Sequence, residues 1–314
     1  MRFVEKYRPK SWDEIVSQPQ VVEPLRAMLK RGKEIPHLLF LGPAGTGKTS
    51  VAHLVAKELG FPIHELNASD DRGIDIVRGF IKRVSRIRGR RVILLDEVDN
   101  MTGDAMQALR RTMEKTIGTV FILTGNRGWK IIDPIQSRCA LFRFQKFKNG
   151  EVLRRLLEIC RAEGISIKPE MKNGFTQLVW DSKGDLRKAI NTLETIVTSG
   201  KKISPEAVIG LQKPKIAGEA LRIAVSGDFV RAKEMLEDGF INARFGVDDV
   251  LDELYEAVGS LKVTDAVKAR LYKELKDTDR NCRLSTNPVI QFIGFIAFAW
   301  ICPHLPQNCP ALEG

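Results

Sequence analysis

The run Gly42-Pro43-Ala44-Gly45-Thr46-Gly47-Lys48-Thr49, entered from the apolar stretch Leu38-Leu39-Phe40-Leu41, narrows the folds open to this chain more than any other feature. Glycines at these spacings let backbone N–H groups curl around an anion without Cβ clashes. Lys48 is placed to reach β and γ phosphates, and Thr49 to offer its hydroxyl to Mg2+. Ser50 follows in the first turn of a helix whose positive end faces the anion. Val51, Leu54, Val55 and Leu59 share one face of that helix. Strand, loop and helix together predict a parallel α/β sheet that binds a nucleoside triphosphate at its edge.

A second apolar run, Arg91-Val92-Ile93-Leu94-Leu95, ends in Asp96 and Glu97. It reads as a buried parallel strand with its carboxylates at the C-terminal edge, where ligands bind in open α/β sheets. Asp96 suits Mg2+ through its water shell, and Glu97 suits polarising an attacking water as general base. The same pair also suits N-capping a helix from Asp104, and Asp99 reads as a helix cap or a solvated charge. Thr119-Val120-Phe121-Ile122-Leu123 is another buried strand pattern and delivers Asn126, which orients the lytic water or simply makes a turn. Arg187 opens a helix after Gly184-Asp185 and is a candidate for sensing the γ phosphate, although by residue type alone it is a surface arginine. Arg138, in Gln136-Ser137-Arg138-Cys139, lies outside these motifs.

At 314 residues the chain is long enough for two or three domains. Apolar strand runs stop at Leu141-Phe142-Arg143-Phe144, and everything beyond reads helical. Asn149 to Glu163, Glu170 to Trp180 and Asp185 to Thr198 make three helices punctuated by Gly164, Gly184 and Gly200. Lys213-Pro214-Lys215 reads as a linker before about five further helices. The expected domains are 1–146 for nucleotide binding, 147–212 as a small helical lid and 213–314 as an all-α C-terminal domain.

Fifty Lys and Arg against 39 Asp and Glu give a net charge of +11, which favours a polyanionic partner. Ile74 to Arg88 localises that charge, reading as a helix with Ile74, Val77, Phe80, Ile81, Val84 and Ile87 on one side. Arg78, Lys82, Arg83 and Arg86 fall on the other, either as a solvated face or as a track for a phosphate backbone. The apolar segment Pro288 to Cys302 is short of the roughly 20 residues a membrane span needs, so burial between subunits is expected. The five cysteines show no framework spacing and fit a reducing compartment. Cys302, His304 and Cys309 lack a fourth ligand nearby, which argues against zinc.

Several longer words in the chain are far more specific than a phosphate loop. They are Val4-Glu5-Lys6-Tyr7-Arg8-Pro9, Leu66-Asn67-Ala68-Ser69-Asp70-Asp71-Arg72-Gly73, Gln107-Ala108-Leu109-Arg110-Arg111-Thr112-Met113-Glu114 and Ile131-Ile132-Asp133-Pro134-Ile135-Gln136-Ser137-Arg138-Cys139. With the loop and the Asp96-Glu97 strand, they resemble the small subunits of replication factor C, the clamp loader of archaea and eukaryotes, over nearly the whole chain. The resemblance implies an AAA+ P-loop domain, an all-α lid and an all-α collar that oligomerises a pentameric ring with a large subunit and further small subunits. It implies ATP with Mg2+, a PCNA-type sliding clamp and primer-template DNA as partners, and no membrane. By the same resemblance Val4, Tyr7 and Arg8 lie over the adenine, Asn126 is sensor 1 and Arg187 is sensor 2. Arg138 is an arginine finger acting in trans on the neighbouring subunit's ATP. The basic helix lines the spiral that grips DNA, and Arg72 restrains Glu97 until DNA arrives.

Met1-Arg2-Phe3 runs straight into the first family word with no visible signal, so a cytoplasmic protein is expected, or a nuclear one in a eukaryote. Bacterial relatives carry a cysteine zinc module between the two nucleotide motifs, and this chain has no cysteine there. Ala44, Val98, the Thr124-Gly125-Asn126 wording and the short connection around Gly89-Arg90 depart from the usual family pattern. A weakly hydrolysing structural paralogue or another AAA+ DNA-remodelling motor are the alternatives. Lys48, Glu97 and Arg138 are all present, which favours hydrolysis, and a small-molecule kinase has no use for a trans arginine.

Overall fold

The computed structural model describes residues 2–32, 34–68, 79, 89–211, 216–243 and 246–304. Five parallel strands, β1 (His37–Leu41), β2 (Ile63–Asn67), β3 (Arg91–Asp96), β4 (Thr119–Gly125) and β5 (Cys139–Arg143), form one sheet in the order β2-β3-β4-β1-β5. Every pairing is parallel, with Leu39 opposite Leu123 and Leu95 opposite Leu123 across the central three strands.

The unbroken apolar runs are explained by what covers each face. Leu38, Phe40, Val92, Leu94, Val120 and Ile122 pack on one side with Val21 and Leu25 of α2 (Pro19–Arg31) and Val51, Val55 and Leu59 of α3 (Lys48–Leu59), in the segment that follows the short α1 (Phe3–Lys6). Leu39, Leu41, Ile93, Leu95, Phe121 and Leu123 pack on the other side with Ala105, Leu109 and Met113 of α4 (Gly103–Lys115). A strand buried on both faces has no polar face to alternate with. The edge strands β2 and β5 are less buried, and β2, written Ile-His-Glu-Leu-Asn, is passed over by the apolar-run criterion.

After α5 (Asp133–Gln136) and β5 the chain becomes helical, with α6 (Asn149–Ala162), α7 (Lys172–Ser182), α8 (Leu186–Thr198) and the short α9 (Pro205–Ile209). The second lid helix begins at Lys172 where Glu170 was expected, because Pro169 opens a separate 3-10 turn over Pro169–Met171. α9 was not foreseen; its five residues, capped by Ser204 with Pro205 at the first position, are too few to show a helical period. Val152, Leu156, Ile159, Phe175, Leu178, Ile190, Leu193 and Ile196 form the core of this layer, and Phe3, Val4 and Tyr7 from the N-terminus pack onto it.

The chain divides into two compact units, Met1–Leu211 and Gln212–Gly314. The second unit contains α10 (Ile216–Val225), α11 (Phe229–Ala243), α12 (Val247–Ser260), α13 (Asp265–Leu284) and α14 (Pro288–Ile301) among the described residues. Its core is built on Leu221, Leu236, Leu254, Leu271, Phe292, Phe295 and Ile296. One face of the strongly apolar α14 packs inside its own unit. Phe292, Phe295, Ile296 and Ala299 are buried there, while Ile290, Trp300 and Ile301 remain exposed.

Candidate functional site

β1 ends at Leu41, and the chain turns at Gly42, whose φ of 152° and close packing admit no side chain: a Cβ there would lie 2.4 Å from the Phe144 carbonyl oxygen. Gly45, at φ 69°, is approached as closely by the lid, since a Cβ would sit 1.8 Å from Asp185 Oδ1. Asp185 is the N-cap of α8, accepting the Lys188 N–H at 3.0 Å. The loop is thus shaped at one end by the sheet and at the other by the start of a lid helix.

Lys48, at the start of α3, is buried and donates to Gly42 O at 2.7 Å, Pro43 O at 2.8 Å and Asn126 Oδ1 at 2.8 Å. Burial pulls its amine down to about 8, against the upward pull of Asp96 and Asp99. Thr49 donates its hydroxyl to Asp96 Oδ2 at 2.9 Å, so the two side chains expected to serve Mg2+ meet directly. Among the described residues no group of three or more His, Cys, Asp and Glu converges as a metal cage. One hydroxyl beside one carboxylate fits Mg2+, which keeps most of its water shell and takes few protein ligands.

Thr124, at the end of β4, donates to the other Asp96 oxygen, Oδ1, and accepts the Glu97 N–H at 3.2 Å. This hydroxyl ties both carboxylate residues to the central strand. Glu97 itself takes a left-handed conformation at φ 57°, and its carboxylate accepts from Asn100 Nδ2 at 3.2 Å. A non-glycine residue there costs on the order of 1–2 kcal/mol and persists where the surroundings enforce it. The alternative use of Asp96 and Glu97 as caps for α4 falls away, because Thr102 caps that helix. Asp99 is neither a helix cap nor solvated: it is 5% exposed and accepts the backbone N–H of Asn126 and of Arg127, both at 3.1 Å. It braces the turn that brings Asn126 to Lys48.

A cavity of about 370 Å3 lies beside the loop. Gly45, Thr46, Gly47, Lys48, Thr49 and Ser50 line it from the sheet, Val4, Tyr7 and Arg8 from the N-terminus, and Arg187 from the lid. Gly42, Pro43, Ala44, Asp96, Glu97 and Asn126 are not in its wall; Gly42, Pro43, Asp96 and Asn126 join it through the contacts of Lys48 and Thr49. Arg155, Asn191 and Phe147 also line it and were not anticipated. Arg155 fills a structural place as well, donating to the Tyr7 carbonyl oxygen at 2.9 Å.

Arg138 does not line this cavity. Its guanidinium pairs with Glu114 of α4 and donates to the Pro134 carbonyl oxygen at 2.7 Å, and the side chain stays about a third exposed. Arg72, Arg78, Lys82, Arg83 and Arg86 lie outside the described residues, as do the Lys213-Pro214-Lys215 linker and Cys309. No helix among the described residues is long and apolar enough to cross a membrane.

A parallel sheet carrying a phosphate loop, an acidic strand end and a helical lid over one cavity defines an AAA-type ATPase. The family model for the ATPase family associated with various cellular activities (AAA) matches residues 38–147, and that for the RCF1/5-like AAA+ ATPase lid domain matches residues 154–198. The replication factor C small subunit of Archaeoglobus fulgidus is 38% identical over 310 residues, covering 94% of this chain and 96% of that protein. That of Sulfolobus acidocaldarius is 40% identical over 311 residues, covering 94% of each. Among solved structures, the Thermotoga maritima RuvB Holliday junction branch migration motor superposes with a TM-score of 0.58 at 20% identity, over 80% of this chain and 89% of that one, a likeness of fold. The chain belongs to the replication factor C small subunit family.

Proposed function

We propose that this chain is an ATPase subunit of a sliding-clamp loader, in which ATP binding and hydrolysis drive the opening and loading of a clamp onto primer-template DNA. The observation that carries the nucleotide half is the meeting of Lys48, Thr49, Asp96 and Asn126 at one sheet edge, beside a cavity walled by the N-terminus and the lid. Lys48 and the backbone from Gly42 to Thr49 hold the phosphates, Val4, Tyr7 and Arg8 face the adenine, and Arg187 approaches from the lid. Thr49 and Asp96 hold Mg2+, which when bound neutralises phosphate charge. Glu97 accepts the proton of the attacking water, and Asn126 orients that water or the γ phosphate.

The loader half rests on family membership and on Arg138. This arginine lies outside its own chain's cavity wall and is partly exposed, which suits a guanidinium that acts on a neighbouring subunit's nucleotide. The partners are a large subunit and further small subunits in a pentameric ring joined through the C-terminal helices, a PCNA-type clamp, and DNA met by Arg78, Lys82, Arg83 and Arg86. Domain limits at 146 and 212 separate the sheet, lid and collar roles. ATPase of the chain alone, with its large subunit, and after adding clamp and primed DNA tests the proposal. Stimulation in the full mixture is expected, and equal turnover by the chain alone overturns it. In the assembled complex Arg138→Ala is expected to leave ATP binding intact and to cut stimulated turnover by roughly 10³-fold or more; unchanged stimulated turnover removes the trans assignment.

A further inference from the structure

The N-terminal wall of the nucleotide cavity is held by a residue that does not line it. Tyr7, which does, donates its hydroxyl to Glu163 Oε1 at 2.6 Å, and Lys6 Nζ reaches the same oxygen at 2.7 Å. Glu163 stands at the C-terminal end of α6, the helix that also carries Arg155, whose guanidinium binds the Tyr7 carbonyl oxygen at 2.9 Å. Phe3 meets the Tyr7 ring edge-on at 6.0 Å, Lys6 Nζ lies 5.4 Å from its centroid, and Phe3, Val4 and Tyr7 pack on the lid core. The segment 3–7 is therefore fastened to the lid at both the backbone and the tip of Tyr7, across about 150 residues of chain.

We infer that Glu163 is a positioning residue for the nucleobase: by gathering the Tyr7 hydroxyl and the Lys6 ammonium on one carboxylate oxygen, it sets the wall against which the base of ATP packs. This rests on reading the cavity as the ATP site. The carboxylate touches neither phosphate-loop residues nor Asp96 and Glu97 in any of its contacts, so its contribution is to binding that ground state and transition state share. Such uniform binding appears in Kd and KM and leaves kcat alone. The charge is matched within the cluster: the Lys6 hydrogen bond holds Glu163 below the usual carboxylate range.

The test is ATP and ADP affinity of the full chain, by calorimetry, for Glu163→Ala, Glu163→Gln and Tyr7→Phe, with Tm recorded for each. Glu163→Ala is expected to weaken both nucleotides alike, by about five- to tenfold, with kcat at saturating ATP unchanged. Tyr7→Phe keeps the ring and loses only the hydroxyl, and is expected to give a smaller loss that is not additive with Glu163→Gln. Tripolyphosphate, which has no base, is the control: its stabilisation of the protein in a thermal-shift titration should be the same in wild type and Glu163→Ala. Unchanged ATP affinity in Glu163→Ala overturns the inference, and so does an equal loss for tripolyphosphate. If Lys48→Ala leaves ATP affinity intact, the site reading itself has failed instead.

Discussion

At the scale of the residue, Lys48 carries the clearest solution signature. Its amine, lowered to about 8 by burial, is charged below that pH and neutral above it in the free protein. A triphosphate favours the charged form, so binding above pH 8 must take up a proton. With Mg2+ present, which keeps the γ phosphate ionised, ATP affinity is therefore expected to fall as pH rises past 8, by at most about tenfold per unit. Calorimetry at pH 8.5 in two buffers of different ionisation heat reads the proton directly, and no uptake would contradict the assignment. Other residues at this scale were less legible. Asp99 reads as exposed because an acid after a strand ordinarily meets water, and only the fold shows that it satisfies two turn N–H groups. Thr124 was visible as the hydroxyl that follows the apolar run from Val120 to Leu123, one step past the Leu95–Leu123 register, but nothing in the run says which carboxylate it meets.

At the scale of the element, α8 joins lid to loop. Asp185 caps it, packs against Gly45, and begins the turn that presents Arg187 to the cavity. Asp185→Ala is expected to cost about 1 kcal/mol of stability through the lost cap and to weaken ATP binding by loosening that turn. Asp185→Asn retains capping ability and should recover most of the stability; thermal melts of both variants check this. Of the strands that the sequence reveals, β1, β3 and β4 carry apolar runs because they are buried in the sheet, while β5, at the other edge and mostly unburied, shows only the pair Leu141-Phe142. β2 stays hidden because an edge strand with one protected side needs few apolar residues, and its His64 and Glu65 break the pattern. Helix boundaries in the lid shifted by one or two residues because caps, not periodicity, fix them.

At the scale of the whole molecule, the chain carries two compact units, Met1–Leu211 and Gln212–Gly314, each with its own hydrophobic packing. The residues that wall the nucleotide cavity all belong to the first. Scanning calorimetry is expected to show two transitions, with ATP and Mg2+ raising one by up to about 2.7 kcal/mol at a hundredfold excess over Kd and leaving the other in place. A single transition that shifts as a whole would show that the cores unfold together. In sequence the nucleotide motifs all precede residue 190, and the described residues beyond it form helices and their connections.

The contact between Gly45 and Asp185 adds a mechanical limit to this plan. The lid and the phosphate loop meet there with no clearance for one more carbon atom, and what fills the space is the tip of the Asp185 side chain, held by its capping bond to Lys188. A methyl at position 45 would therefore press on the cap of a helix 140 residues further along the chain, so the phosphate loop and the lid constrain each other's sequence.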